Sequence, residues 1–194
     1  MEISKNNKIY LILIILFVST FAFRIYFSFK STEEADVTMF HEVSQVTLSG
    51  KNPYLLIKDI YVYPPLSVIF QTSILFISEN INVPYHTLIK LFSNLFDLFI
   101  AFLIFNKIKN TGKIKALTWS LVFFLNPVSI IISSIHGQID SISIFFLMIS
   151  LFILDSKKKS NRLLSALFYG LSVSIKTIMF FLLPYFLMRL KKHI

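Results

Sequence analysis

The sequence predicts an all-α fold, a polytopic membrane helix bundle with an external loop of juxtamembrane helices. First, 55% of the 194 residues are hydrophobic and only 15% are charged, whereas about a quarter of the residues of soluble domains are charged. Second, several apolar stretches approach the roughly 20 residues with which a helix crosses the hydrocarbon core. Third, 13 of the 19 basic residues lie in four short clusters that border these stretches, so the net charge of +9 indicates membrane topology and gives nucleic-acid binding no support.

Five stretches are predicted to form helices within the bilayer. The clearest runs from Ala116 to Ile135 without a charge. The first, Ile9 to Phe23, reaches spanning length if Arg24 snorkels and the helix continues to Phe29. The other three are Leu88 to Phe105, interrupted by Lys90, Asn94 and Asp97; Ser141 to Leu154; and Leu163 to Met188, interrupted by Lys176.

Four basic clusters border these stretches, and the positive-inside rule places all four on the cytoplasmic side. They are Lys5 and Lys8; Lys107, Lys109, Lys113 and Lys115; Lys157, Lys158, Lys159 and Arg162; and Arg189, Lys191 and Lys192. Residues 30–86 instead hold six acidic residues and three lysines, so they form the external loop. We therefore predict a multi-pass integral membrane protein with a cytoplasmic N-terminus, located in the cell membrane if its source is prokaryotic.

This orientation constrains two further segments. If Leu66–Ile77 crossed the membrane, the next basic cluster would fall outside, so we predict a short juxtamembrane helix begun by Pro64 and Pro65. Residues 163–188 begin and end beside predicted cytoplasmic cations, which favours two short helices that meet near Lys176. The alternative is one long tilted helix with the last cations outside. The chain has no internal repeat or linker, so residues 1–194 form one transmembrane domain.

Four groups of polar residues meet the external membrane boundary in this topology. They are Arg24, the acidic segment Glu33-Glu34-Ala35-Asp36, the turn His136-Gly137-Gln138-Ile139-Asp140, and Lys176. Lys176 is the strongest candidate, because an unpaired ammonium between apolar half-helices is costly.

Each of the other groups also has a purely structural interpretation. Asp36 could be a solvated loop carboxylate or a helix N-cap, and Arg24 could simply snorkel. The His136–Asp140 turn could be an ordinary connection with Gly137 as the C-cap. For Asp97 we expect structural pairing, with Lys90 or with a neighbouring helix.

Several site classes lack support in the sequence. The chain has no cysteine, no glycine-rich phosphate loop and no GxSxG or HExxH motif. Its four histidines are scattered along the chain, so no zinc site is predicted.

The order of the short motifs nevertheless resembles a known group of enzymes. The motifs are Glu33-Glu34-Ala35-Asp36, Gly50-Lys51-Asn52-Pro53-Tyr54, Tyr63-Pro64-Pro65-Leu66, Phe96-Asp97-Leu98, Leu125-Asn126-Pro127, His136 to Asp140, Tyr169-Gly170, and Lys176 followed by Leu183-Pro184. This series resembles the GT-C superfamily of polyprenyl-phosphosugar-dependent glycosyltransferases. It is most similar to the catalytic subunit family of GPI mannosyltransferase I and its prokaryotic relatives.

The resemblance implies a helical membrane enzyme whose first external loop carries catalytic acids. The D-x-D pattern of the family falls on Glu34-Ala35-Asp36, so its first member is Glu here and only Asp36 is retained. Members of the family are considerably longer, which implies that this chain corresponds to their N-terminal part. A separate C-terminal half or a second membrane subunit would then be a partner.

On this basis we predict an inverting glycosyltransferase, specifically a mannosyltransferase, with a polyprenyl-phosphate sugar as donor and a glycan, lipid or protein as acceptor. Asp36 would be the base and Glu34 would assist it. Lys176 and Arg24 would bind the donor phosphate, and His136, Gln138 and Asp140 would bind phosphate or sugar hydroxyls. The prenyl tail would lie between phenylalanine-rich helices. No cofactor is assigned, and participation of a divalent metal stays open.

A second hypothesis is a non-catalytic membrane subunit or a small transporter. In that case Asp97, Asp140 and Lys176 would form an intramembrane network or an ion path. The two hypotheses differ in geometry, because an enzyme gathers its site residues on one face whereas a transport path is accessible from both.

Overall fold

The computed structural model describes residues 5–32, 34–56, 61–154 and 158–191, and every regular element within them is helical, as the sequence predicts. The α-helices are α1 (Lys5–Lys30), α2 (Ala35–Leu48), α3 (Pro53–Leu56), α4 (Pro65–Ile81), α5 (Tyr85–Ile108), α6 (Lys113–Phe124), α7 (Pro127–Ile130), α8 (Asp140–Leu154), α9 (Lys159–Ile175) and α10 (Leu183–Lys191). A 3₁₀ turn (Lys109–Thr111) links α5 to α6, a π-helix (Ile131–His136) extends α7, and a 3₁₀ segment (Thr177–Leu182) precedes α10.

Two of the described helices are long and apolar enough to cross a membrane, namely Asn6–Lys30 and Tyr85–Thr111. A third candidate is the pair Lys113–Phe124 and Pro127–His136, which is bent by 51°. The helix Asp140–Leu154 is apolar but shorter. The chain therefore has the helical membrane fold that its composition predicts.

The bend breaks the predicted span from Ala116 to Ile135 near its middle. Pro127 disfavours helical geometry in the preceding residue, and Asn126 has φ −58° and ψ 121°. Here the amide of Val128 bonds to the side chain of Asn126 at 2.9 Å and not to the carbonyl of Phe124. A free carbonyl in hydrocarbon costs several kcal/mol, so Phe124 needs another donor.

The first three long segments alternate in direction. Near the end of α1, Ser28 accepts a hydrogen bond at 2.9 Å from Asn94 in the first half of α5. At the opposite end, Tyr10 of α1 and Lys113 of α6 line one cavity. The ring of Phe152 lies 5.0 Å from Nζ of Lys107, so α8 also reaches this end.

We call the end that carries Lys8, Lys107 and Lys113 the basic end, and the end that carries Asp36 and Asp140 the acidic end. The topology predicted from the sequence likewise places the basic clusters on one side of the membrane and the acidic residues of the loop on the other. Lys157 and Lys192, two members of the predicted basic clusters, lie outside the described residues.

Four serines join α8 to α9 in what we call the serine zipper. Ser143 donates to the carbonyl of Ser172 at 2.9 Å, and Ser172 donates to the carbonyl of Ser143 at 2.8 Å. Ser150 and Ser165 repeat this exchange at 2.7 and 2.8 Å. All four side chains are buried, and their small size lets the two backbones approach closely.

The zipper also sets which residues face each other at the acidic end. Asp140 lies three residues before Ser143, and Lys176 lies four residues after Ser172. Continuing the antiparallel register by about one helical turn of 3.6 residues therefore brings Asp140 opposite Lys176.

The helix breaks at Lys176, where the sequence predicts that two short helices meet. Lys176 has an extended backbone with φ −142° and ψ 114°. Beyond it the chain turns back, because the ring of Phe186 stacks on Tyr169 with 4.1 Å between centroids. One long tilted helix over residues 163–188 is therefore wrong, and the hairpin is confirmed.

Within the loop over residues 30–86, α2 and α4 pack against α5. Helix α4 begins at Pro65, as predicted from the proline pair. Phe70 of α4 meets the rings of Phe92 and Phe96 edge-on at 6.0 and 6.4 Å. The buried side chains between these helices are Val37, Phe40, Val43, Ile74, Leu75, Leu88 and Ile89. This core fixes α2, and with it Asp36, against the bundle.

Candidate active site

Five side chains from four segments meet at the acidic end. The amide of Gln138 donates to Oδ2 of Asp36, and the hydroxyl of Tyr63 donates to Oε1 of Gln138 at 3.2 Å. Nζ of Lys176 forms an ion pair with Oδ1 of Asp140 and lies 5.9 Å from the centroid of the Tyr63 ring. We call these five residues the acid–amide–lysine cluster.

The backbone around Gly137 places Gln138 in this cluster. Gly137 has φ +72°, the left-handed conformation expected of a C-cap, as predicted for this turn. A Cβ atom there would lie 2.8 Å from Cγ2 of Val37 and 3.1 Å from Cγ of Lys90, so the position admits only glycine without a shift. The carbonyl of Gln138 accepts a bond from Ser93 at 2.8 Å.

Asp36 lies in the first turn of α2, and Glu34 is the N-cap residue. The N-cap interpretation of Asp36 is therefore wrong. Lys90 holds the segment before α2 in place, since its Nζ donates to Oγ of Ser31 at 2.8 Å and to the carbonyl of Thr32 at 2.7 Å. Asp36 is half-buried, so its carboxylate is anchored by Gln138 yet open to a ligand.

The ion pair of the cluster is accessible as well. The side chains of Lys176 and Asp140 are 24% and 22% exposed. A phosphate that approaches this end could therefore reach the ammonium group and share it with Asp140.

Tyr63 is a member of the cluster that the sequence reasoning did not assign to the site. Burial, and then the negative charges of Asp36 and Asp140, raise the pKa of Tyr63 to about 12. The phenol therefore stays neutral at physiological pH and can donate its hydrogen bond to Gln138. The one signal in the sequence was its place in the Tyr63-Pro64-Pro65 motif.

Arg24 does not join the cluster. It is fully buried and donates at 2.8 Å to Asp97, at 2.9 Å to Asn94 and at 2.8 Å to Ser129. Its Nε and Nη2 also bond to the free carbonyl of Phe124, at 3.1 and 2.8 Å. The helix break and the buried carboxylate engage this guanidinium group, so the structure does not bring Arg24 together with Lys176, the other predicted phosphate ligand.

Asp97 accordingly pairs with a neighbouring helix and not with Lys90. Its second oxygen accepts a bond at 2.6 Å from Ser141, which directly follows Asp140. Through Ser141, the buried ion pair of Arg24 and Asp97 thus connects the start of α8 with α1 and α5, next to Asp140 of the cluster.

The remaining predicted site residues lie at the rim. His136 is exposed at the end of the π-helix, and Glu34 is half-buried. Neither side chain is bonded to the cluster.

Within the described ranges, no group of three or more His, Cys, Asp or Glu side chains is placed to hold a metal ion.

An apolar groove of about 290 Å³ begins beside the cluster, between α4, α5, α8 and α9. Ile175 and Ile142 line it, next to Lys176 and near Asp140. The rest of its lining is Leu66, Ile69, Phe70, Ser73, Phe96, Phe146 and Leu171. A chain of hydrocarbon attached to a group held by Lys176 could enter this groove directly.

Comparison with known proteins identifies the family. The model of Glycosyltransferase family 87 matches residues 61–193, more than half of the chain. The chain belongs to glycosyltransferase family 87. The match includes Tyr63, Gln138, Asp140 and Lys176, and it confirms the resemblance to glycosyltransferases of the GT-C type.

This family 87 chain is also similar to fungal proteins named GPI mannosyltransferase 1. The protein from Kluyveromyces lactis is 30% identical over 179 residues, which are 88% of this chain and 41% of the relative. The protein from Candida albicans is 30% identical over 154 residues, or 78% of this chain and 36% of the relative. The chain thus spans about two fifths of the length of these relatives. No solved structure matches it.

Proposed function

We propose that this family 87 chain carries the acceptor base and the donor-phosphate site of a membrane mannosyltransferase. Its donor is a polyprenyl-phosphate mannose and its acceptor is a hydroxyl of a glycan or lipid. The observation that carries the proposal is the acid–amide–lysine cluster, in which a carboxylate and a cation from distant parts of the chain meet at one end. The names of the fungal relatives support mannose as the sugar.

In the proposed reaction Asp36 removes the proton from the acceptor hydroxyl. The acceptor oxygen then forms a bond to the anomeric carbon of the sugar, while the bond from that carbon to the phosphate oxygen breaks. Polyprenyl phosphate leaves as an anion. A single base on the side opposite the phosphate gives inversion at the anomeric carbon. Gln138, itself bonded to Tyr63, orients the Asp36 carboxylate for this step.

Lys176 binds the donor phosphate and stabilises the negative charge that grows on it as the bond breaks. Asp140 keeps the ammonium group in place before the donor arrives. Asp140, Gln138 and the exposed His136 hydrogen-bond sugar hydroxyls at the rim. Glu34, at the start of α2, positions the acceptor.

The apolar groove next to Lys176 receives the first isoprene units of the donor. The positive-inside rule then places the acidic end on the external side of the membrane. A C-terminal part or a second subunit completes the enzyme, consistent with the share of the relatives that this chain spans.

Replacing Lys176 by Gln tests the phosphate site. We expect the KM for polyprenyl-phosphate mannose to rise about tenfold or more, because a hydrogen bond to a charged group contributes about 1.5–3 kcal/mol. The measurement is transfer of labelled mannose in membranes that contain the chain. Lys115→Gln, at the basic end, is the matched control and should leave this KM unchanged. An unchanged KM in Lys176→Gln would contradict the proposal.

Replacing Tyr63 by Phe tests the orientation of Asp36. Without the phenol, Oε1 of Gln138 loses its donor, and we expect kcat to fall about fivefold while the donor KM is retained, as one neutral hydrogen bond contributes roughly 1 kcal/mol. Tyr26→Phe, an exposed tyrosine on α1, is the control. A rise in donor KM with kcat intact would instead place Tyr63 at the donor.

A further inference from the structure

Two neighbouring cavities at the basic end both have Tyr10 in their lining, and we call the two together the amphipathic groove. The outer cavity, of about 290 Å³, has the polar side chains of Asn6, Asn7 and Lys113 in its lining, together with Tyr10 and Ile114. The inner cavity, of about 300 Å³, lies between α1, α5 and α6, and apart from Tyr10 and Ser120 its lining is apolar, with Val18 on α1 and Leu117 on α6 among the lining residues. The polarity of the groove therefore changes at Tyr10.

The inner cavity is suited to hydrocarbon alone. Beyond Tyr10, its one polar side chain is Ser120, whose hydroxyl already bonds to the carbonyl of Ala116 at 2.9 Å. From Tyr10 to Val18 the groove follows α1 for about 12 Å, at 1.5 Å per residue. That length accommodates about half of an extended acyl chain.

The outer cavity is suited to an anion. No acidic residue occurs in residues 5–32 or 98–139, the segments from which both cavities are built. Among the lysines of this end, Lys109 bonds to Asn106 at 2.9 Å and Lys107 lies over the ring of Phe152. Lys113, in contrast, has no hydrogen bond or ion pair to any described residue, and the two asparagines beside it offer further donors.

We propose that this groove binds an anionic phospholipid, with its phosphate at Lys113, Asn6 and Asn7 and one acyl chain in the inner cavity. A cation above an apolar cleft between membrane helices is the arrangement that recognises acidic headgroups. Along α1, Tyr10 and Ser31 are about 30 Å apart, so this lipid and the sugar donor occupy opposite ends of the bundle. The inference does not depend on the proposed transferase function.

The test measures lipid retention by the purified full-length chain in a neutral detergent, by native mass spectrometry. Phosphatidylglycerol should bind at least about fivefold more tightly than phosphatidylcholine, and Lys113→Gln should lower that affinity about fivefold, as expected for one cation near an acidic headgroup. Lys115→Gln, two residues away and outside the lining, should bind like the wild type. Leu117→Trp, which fills the inner cavity, should lower the affinity for both lipids.

Four results would overturn the proposal. The first is equal affinity for the two lipids, and the second is equal loss in Lys113→Gln and Lys115→Gln. The third is full displacement of the lipid by inorganic phosphate, which would mean an anion site without a role for the acyl chain. If a protein segment fills the groove instead, the wild type will bind no lipid and Leu117→Trp will have a lower melting temperature. This outcome also rejects the lipid.

Discussion

Replacing Asp36 by Asn is expected to lower the rate of sugar transfer by about 100-fold or more, since a positioned general base contributes roughly 10²–10⁴-fold. The substitution is conservative in shape, and the amide oxygen can still accept the bond from Gln138. The variant therefore loses the ability to take a proton while the cluster keeps its geometry. The measurement is kcat for transfer from labelled polyprenyl-phosphate mannose.

Two controls sharpen this experiment. Glu42→Gln changes an exposed carboxylate on the same helix, and its kcat should match that of the wild type. Glu34→Gln should reduce the rate less than Asp36→Asn, because in the proposed reaction Glu34 positions the acceptor and does not take the proton. If Asp36→Asn turns over normally, Asp36 is not the base. If both variants of the acidic segment are equally inactive, the segment is required as a unit.

The largest expected effect on stability comes from removing Asp97. Asp97→Ala leaves the guanidinium group of Arg24 buried without its counter-ion, and breaking such a pair costs about 3–5 kcal/mol. Because Asp97 also holds Ser141, the start of α8 should loosen too. The measurement is the free energy of unfolding in detergent, or the melting temperature.

The double variant Arg24→Met with Asp97→Leu distinguishes a charge effect from a packing effect. It removes both charges and should recover much of the stability that Asp97→Ala loses. The recovery should be incomplete, since the carbonyl of Phe124 then lacks its donor. If the double variant is no more stable than Asp97→Ala, the buried charge is not the cause.

Local signals in the sequence predicted the features that one segment decides by itself. Basic residues at both ends of the apolar stretch 163–188 indicated that this stretch breaks and turns back, and the chain does break at Lys176. A proline pair indicated the start of a helix, and α4 begins at Pro65. Proline limits its own backbone, and the charges that flank one segment limit its topology, so distant parts of the chain were not needed.

Features that depend on a distant partner were not predictable in this way. Arg24 at the end of a span had the pattern of a phosphate ligand. Its actual partners, Asp97 and the carbonyl of Phe124, lie on two other helices. The bend that frees this carbonyl could have been expected from Pro127, but not that Arg24 would satisfy it. The role of Tyr63 likewise depends on its hydrogen bond to Gln138, a residue far away in the sequence.

One tertiary contact did have a signal that went unused. Ser143 and Ser150 are seven residues apart, and so are Ser165 and Ser172. Equal spacing of small polar residues on two neighbouring apolar helices is typical of a close antiparallel contact. With that contact the pairing of Asp140 with Lys176 follows from register alone.

The serine zipper bears on how this region enters the bilayer during synthesis. Helices α8 and α9 have 15 and 17 residues, fewer than the roughly 20 that a lone span requires. Each would also expose its zipper serines to hydrocarbon if it partitioned by itself, where each hydroxyl group could bond only to a carbonyl of its own helix. Partitioning of both arms together as a preformed helical hairpin avoids these penalties, because the hydroxyl groups are then satisfied before they leave the aqueous translocation channel.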